Sequence, residues 1–253
     1  MNKTLIDPEN QFNNPNLVYD QINSLFKSNN ISFMNHGYYP PPDFIKKENI
    51  NFKNQISLYL SLFNNLDVNN KTILEIGCGR GGGIQELSKY FYFKKIDACD
   101  LNKKNIEYCI KNNKNKTNFQ ISNAENLNYS NNMFDVIINV ESSHCYRNPQ
   151  LFFNEVKRVL KPDGIFLYTD VGLTINSFSD FFYLFKNIHR KDITENVKNA
   201  CKDDIKNFKN LDIDTDIKSW LVSLAENMYE GYTSSNSRYI TYSCSDNDEW
   251  FNK

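Results

Sequence analysis

Between residues 71 and 170, short apolar runs alternate with longer stretches whose apolar positions recur at helical spacing. "TILEIG" reads as a strand and "GGIQELSKYF" as the helix after it, and "KIDACD" and "KKNIEYCIKNN" repeat the pair. "NFQISNA" gives a third strand. "FDVIINV" gives a fourth, whose unbroken apolar run suits burial on both faces of a parallel sheet. The next helix is signalled at its start. Asn148 caps it, Pro149 suits its first turn, and Leu151, Phe152, Val156, Val159 and Leu160 form its buried face. "KPDG" ends that helix and "IFLYTD" is a fifth strand. Such a βαβα order predicts a doubly wound, mostly parallel α/β sheet with ligand sites at the carboxyl ends of its strands.

The flanks lack this rhythm. Residues 17–26 and 56–63 have helical apolar spacing, and between them "FMNHGYYPPPDF" carries three prolines that stop a helix. Beyond Asp170 the pattern predicts a helix over 177–185, a weak strand over 187–193, two more helices to about Met228 and a final strand "SRYITYSC". The chain therefore divides into an N-terminal helical cap (1–70), a ligand-binding core (71–170) and an acceptor-side helical insert with the last strands (171–253), all within one domain.

Composition narrows the function classes. The 253 residues are 40% hydrophobic, with 19 Phe and 15 Tyr, enough for a sizeable core. Acid and base are mixed to a net charge of −1, so no basic stripe speaks for nucleic acid. Six cysteines are scattered without a C-x-x-C pair or zinc spacing, and no metal is expected. With no signal peptide or membrane span in the pattern, the expectation is a reduced, cytoplasmic protein.

The stretch "TILEIGCGRGGGI" carries the first chemistry. Gly77, Gly79 and Gly82 fit the G-x-G-x-x-G of dinucleotide-binding dehydrogenases. Glu75, however, lies two residues before the first glycine, where an anionic pyrophosphate favours an apolar residue. A carboxylate there suits a ligand with cationic groups and no phosphate, such as S-adenosylmethionine. Asp100 ends the second strand, where a carboxylate can accept from both ribose hydroxyls. After the third strand, Asn123, Ala124 and Glu125 offer amide and backbone groups to an adenine.

Four motifs in order, "LEIGCGRGG", "DACDLN", "NAENLNYSNNMFDVI" and "EVKRVLKPDG", resemble the class I S-adenosylmethionine-dependent methyltransferases. The resemblance implies a Rossmann-like, seven-stranded, mostly parallel sheet with an antiparallel last strand and a helical cap. It implies S-adenosyl-L-methionine as cofactor and S-adenosyl-L-homocysteine as product. Cofactor contacts are expected at Glu75, Gly77, Gly79, Asp100, Leu101, Asn123, Ala124, Glu125, Val140 and Tyr38. Asn123 departs from the Asp that relatives often carry, yet keeps an acceptor.

The fourth strand runs into "NVESSHCYRNP", which puts His144 on a loop at the carboxyl end of the sheet. A neutral imidazole there can take a proton from a hydroxyl, and Asp170, at the end of the fifth strand, can orient it. Cys145 is the neighbour of His144, but on an extended loop the two side chains point apart. "VESSHCY…NEVKRVLKPDGIFLYTD" and "MNHGYYP" are closest to the bacterial small-molecule methyltransferases of the phthiotriol, polyketide and sugar-tailoring type. In those relatives a His and an Asp at the positions of His144 and Asp170 are proposed to activate a hydroxyl. The resemblance thus implies O-methylation in secondary metabolism of a small apolar or aromatic acceptor, with Tyr39, Ser143 and Tyr146 lining its site. The alternatives are an N- or C-methyltransferase of a small molecule, or a cyclase or binding protein that keeps the cofactor. The N/D-P-P-Y/F segment of nucleic-acid and glutamine methyltransferases is absent after the fourth strand, which reads "NVES".

Overall fold

The computed structural model describes residues 15–26, 31–48, 50–113, 115–171, 183–235 and 237–252, with side chains from Tyr19 onward. Among the described residues three helices come first: α1 (Pro15–Leu25), α2 (Asp43–Lys47) and α3 (Lys53–Leu62). The alternating segment follows as β1 (Thr72–Ile76), α4 (Gly82–Tyr90), β2 (Lys95–Asp100), α5 (Lys103–Lys111), β3 (Asn118–Ile121), β4 (Phe134–Val140), α6 (Pro149–Val159) and β5 (Leu160–Val171). The chain then adds β6 (Asn187–Asp192), α7 (Thr194–Lys209), α8 (Thr215–Ser234) and β7 (Tyr239–Ser245).

The seven strands form one sheet in the order β3-β2-β1-β4-β5-β7-β6. The first five run parallel, and β7 is antiparallel to both β5 and β6. Alternation along each strand feeds two apolar layers. Ile73, Val136, Ile138 and Leu167 face a layer with α3 and α4, whereas Leu74, Ile137, Phe166 and Tyr168 face α6. A third cluster joins α1, α7 and α8 through Ile22, Phe26, Phe208, Ile217 and Leu221, and it forms the cap.

Local signals act as the sequence implies. The side chain of Asn102 accepts from Asn105 N–H at 3.0 Å and starts α5, and that of Asn148 accepts from Leu151 N–H at 3.2 Å and starts α6, with Pro149 in the first turn. Each such cap is worth about 1 kcal/mol.

Several expectations need correction. Leu151 is 45% exposed rather than on the buried face of α6, because its first-turn position points outward while Phe152 and Phe153 point in. "KPDG" does not separate helix from strand. β5 begins at Leu160, opposite Phe134, and residues 161–164 bulge before pairing resumes at Ile165 opposite Val136. The second of the late helices runs on to Ser234. The helix expected over 177–185 lies largely outside the described residues, and Phe185 stacks on Phe166 in the core. Among the described residues no helix is long and apolar enough to cross a membrane, and no group of three or more His, Cys, Asp or Glu is placed to hold a metal ion.

Candidate active site

In the sheet order, β1 lies between β2 and β4, so the chain leaves it in opposite directions on its two sides. A crevice opens at the carboxyl ends of strands at such a switch point. A cavity of about 1180 Å³ lies here. One side is made by the loops after β1, β2, β3 and β4, and the other by α1, residues 32–36, α7 and α8.

The turn after β1 needs its glycines. Gly77 and Gly79 have φ of 71° and 52°, in the left-handed region that costs other residues energy. A side chain at Gly77 would also collide with Ser142 and Tyr146. Asn139 stands behind the turn, donating to Ile76 O at 2.9 Å, Ser142 Oγ at 2.7 Å and the Tyr146 hydroxyl at 3.0 Å. Tyr146 is thereby fixed against the turn with its ring on the cavity wall.

Asp100 sits beside this turn on the cavity wall. Its Oδ2 accepts from Gly79 N–H at 2.8 Å, and its Oδ1 from Asn102 N–H at 2.8 Å and the Asn105 amide at 3.2 Å. Burial raises its pKa above the usual carboxylate value against the pull of these donors. A carboxylate has about four lone-pair positions, so it can still accept from a ligand hydroxyl. Leu101, Asn123, Ala124, Glu125 and Val140 also line the cavity. Glu125 has a second task, since its Oε1 takes the N–H groups of Arg147 and Asn148 and so ties the loop after β4 to the loop after β3.

Arg80, next in the turn, is nearly inaccessible, and sequence reading passed over it. Its guanidinium donates to Asn23 Oδ1 at 2.6 Å and Ile31 O at 2.7 Å, and lies 3.6 Å from the centre of the Tyr108 ring. Asn23 in turn donates to Asn105 Oδ1 at 2.6 Å. The turn, Asp100 and α1 are thus joined by one buried chain of hydrogen bonds.

Glu75 is not on the cavity wall. It lies beneath the turn, 1% exposed, and its Oε1 accepts from the Tyr59 hydroxyl at 2.7 Å. Gly83 makes that reach possible, because any side chain there would strike the Tyr59 ring. Burial pushes the Glu75 carboxyl up to about 8, despite donors from Tyr59 and from Ile84 N–H. The expected carboxylate therefore lies behind the cavity wall, which Tyr59 and the glycine turn form.

The loop after β4 forms a single 3-10 turn, Ser143–Cys145, which delivers His144 to the cavity. Its Nδ1 lies 2.9 Å from Oδ1 of Asp170, a fully buried residue at the end of β5. Oδ2 of Asp170 accepts from Ser143 Oγ at 2.6 Å and from His144 N–H at 3.2 Å, and Oδ1 also accepts from Val171 N–H at 2.8 Å. Burial disfavours a charged His144, but attraction and hydrogen bonding to Asp170 outweigh it, and the imidazole pKa is held well above its ordinary value. Burial raises Asp170 and its partners outweigh that too, leaving its pKa below the usual range.

Four placements differ from expectation. Ser143 is buried behind the loop and off the cavity wall, its hydroxyl 2.7 Å from the Tyr168 hydroxyl and donating to Asp170. Tyr38 packs against the core beside α3, its N–H bonded to Asn54 O at 2.8 Å. Tyr39 is exposed, and its backbone pairs with Asn196. Neither tyrosine reaches the cavity; His36, Asn35 and Met34 of the same segment do. Cys145 lies on a tight 3-10 turn rather than an extended loop, and its thiol is 3.7 Å from the Tyr19 hydroxyl of α1.

Comparison with known proteins agrees with this geometry. Residues 74–168 match the family model described as a methyltransferase domain. The chain is 36% identical over 159 residues to the fatty-acid O-methyltransferase of Mycolicibacterium smegmatis, covering 61% of this chain and 58% of the relative. It is 38% identical over 117 residues to a phthiotriol/phenolphthiotriol dimycocerosates methyltransferase of Mycobacterium tuberculosis, covering 46% of this chain and 43% of that one. The chain thus spans about half the length of these relatives. Among solved structures, the cyclase SpnF shares the fold, with a TM-score of 0.66, 14% identity and coverage of 95% and 96%. The matched segment, residues 74–168, carries the glycine turn and the acids near the ends of β1 and β2, and it is a methyltransferase domain by its family model.

Proposed function

We propose that this chain is a methyltransferase that uses S-adenosyl-L-methionine to methylate a hydroxyl of a small, largely apolar acceptor, with His144 as general base. The observation that carries this reading is the 2.9 Å His144–Asp170 pair opening onto the same cavity as the glycine turn. The residues present fit the cofactor. A turn with close backbone access, an acid for ribose and a carboxyl beneath the turn suit a phosphate-free, cationic nucleoside better than a dinucleotide. When bound, S-adenosylmethionine supplies an electrophilic methyl group on a sulfonium and leaves as S-adenosylhomocysteine.

The chain's residues do the rest. Asp170 fixes Nδ1 of His144, leaving Nε2 to take the acceptor's proton. The imidazolium so formed is stabilised by the buried carboxylate, and a base so placed is worth about two to four orders of magnitude in rate. In this reading the core of residues 71–170 holds the cofactor, while the cap (1–70) and the 171–253 segment wall the acceptor and exclude water.

One observation favours a second reading. The raised His144 pKa favours the imidazolium, and that cation would hold a carboxylate acceptor, the class named in the fatty-acid O-methyltransferase relative. The signs are opposite. With a hydroxyl acceptor, turnover rises with pH as His144 loses its proton, above pH 6.5; with a carboxylate acceptor it falls over the same range. The test combines isotopically labelled donor, cell extract and mass spectrometry of the products. His144→Ala is expected to lower transfer about a hundredfold or more with S-adenosylhomocysteine affinity unchanged, and near-normal turnover in that variant would remove the base role.

A further inference from the structure

A second imidazole–carboxylate pair lines the same cavity, and the chemistry above leaves it unused. Glu141 follows the last residue of β4 with φ of 45°, a left-handed conformation that a residue with a long side chain adopts only when its surroundings enforce it. Its N–H bonds Thr169 O at 3.0 Å, which holds the chain in that turn. The carboxylate is thereby sent towards the N-terminal segment. Oε1 accepts from His36 N–H at 2.8 Å and from the Tyr239 hydroxyl. Oε2 lies 3.6 Å from His36 Nε2, beyond hydrogen-bond length, while His36 Nδ1 is 3.0 Å from the Tyr232 hydroxyl. Two donors and a fixed backbone thus orient the carboxylate and leave Oε2 able to accept from a ligand.

The surroundings specify the ligand's remainder. Phe33, Phe52, Phe208, Trp220, Leu221 and Met228 line the same cavity and suit a hydrocarbon chain. An anionic group beside Glu141 would meet a like charge in a partly desolvated site, which costs energy. Resting on methylation at His144, we propose that Glu141 and His36 form an acceptor-recognition subsite that binds a second hydroxyl of the acceptor, so that the preferred acceptor is a neutral apolar chain bearing two neighbouring hydroxyls. His144 serves the hydroxyl that is methylated and Glu141 the one that is not.

Calorimetry on the full chain loaded with S-adenosylhomocysteine tests this with 1-decanol, 1,2-decanediol and decanoate. The diol is expected to bind at least tenfold more tightly than the alcohol, with decanoate weakest. In Glu141→Gln the diol preference is expected to fall below threefold, while S-adenosylhomocysteine affinity stays within twofold. His36→Gln, which keeps the backbone N–H, is expected to reduce the preference in the same direction and serves if the first variant does not fold. Equal binding of diol and alcohol, a preference that survives both substitutions, tighter binding of decanoate, or no measurable binding of any probe overturns the subsite. Transfer of labelled methyl to the diol is read separately. Tight diol binding with no methyl ether formed sinks the reading of His144 and leaves the subsite standing.

Discussion

The two imidazole–carboxylate pairs on one cavity differ in how the fold makes them. His144 and Asp170 stand at the ends of β4 and β5, neighbouring strands whose register pairs Val140 with Thr169. Once those strands pair, the loop after one meets the end of the other, and a tight 2.9 Å contact follows. His36 and Glu141 come from an irregular segment and from a residue in a left-handed turn; the His36 N–H reaches the carboxylate at 2.8 Å, but the imidazole approaches it only to 3.6 Å. The first pair is set by the sheet, the second by closure of the cap onto the sheet. A rigid scaffold suits a proton transfer that depends on geometry, and an adaptable wall suits recognition of an acceptor.

The largest break in this comparison is Asp170→Asn. Without the carboxylate, the main attraction that holds the His144 pKa up is gone while burial still lowers it, so the rising limb of turnover against pH should move to lower pH. The rate at neutral pH is expected to fall about a hundredfold, since the imidazolium loses its counter-charge. Stability should shift as well. A raised folded-state pKa contributes stability that is fully present below the unfolded value of about 6.5 and is lost as pH rises through the folded value. The native protein should therefore lose this share of its stability on going alkaline, and the Asn variant should lack it throughout. A pH–rate profile that does not move in Asp170→Asn would dissociate the pair.

How much of this was legible in the sequence follows the same division. The order of strands, the cap at Asn148, the glycine turn and the His144–Asp170 pair all depend on local pattern plus strand pairing. Arg80 and His36 were invisible, because each meets partners far away in the chain: Asn23 and Ile31 for the first, Glu141 for the second. One signal could have found Arg80. A cation in the glycine turn of a site with no phosphate must spend its charge elsewhere. Glu75 is legible as a residue, and the structure sets it behind the cavity wall, since periodicity gives a strand residue's face but not what packs over it.

Glu75→Gln sharpens the sheet side of the comparison with a smaller effect on activity and an instructive sign. The carboxyl's pKa rises from an ordinary value near 4.5 to about 8 on folding. Its neutral form is therefore favoured in the fold, and the stability this gives is complete below about pH 4.3 and lost progressively as pH rises to about 8. The amide should then match wild type in thermal stability near pH 5 and exceed it near pH 9, by roughly 2–5 kcal/mol. Cofactor binding should run the other way. A sulfonium and an ammonium above the turn favour the ionised carboxyl, so wild-type affinity for S-adenosylmethionine should increase with pH up to about 8, and the Gln variant should be flat and several-fold weaker at high pH. If both proteins bind with the same pH profile, Glu75 does not sense the cofactor through the turn.

The smallest effect separates the two tyrosines expected beside the acceptor. Tyr146 has its hydroxyl in the Asn139–Ser142 network behind the glycine turn, and its ring is packed on Phe152. Tyr39 is exposed, and it is held by its backbone alone: Asn196 O takes its N–H at 3.2 Å, and its carbonyl takes the Asn196 amide at 2.9 Å. Tyr39→Ala keeps both of those bonds, so turnover is expected within twofold of wild type and stability within about 0.5 kcal/mol. Tyr146→Phe keeps the ring but leaves Asn139 and Ser142 short of a partner in a buried network, at about 1–2 kcal/mol, and should loosen the turn that Gly77 makes. Its readout is S-adenosylhomocysteine affinity, which should drop several-fold. A large loss of turnover in Tyr39→Ala with unchanged Tyr146→Phe would reverse the assignment, putting the loop of residues 37–42 against the acceptor and the sheet end away from it.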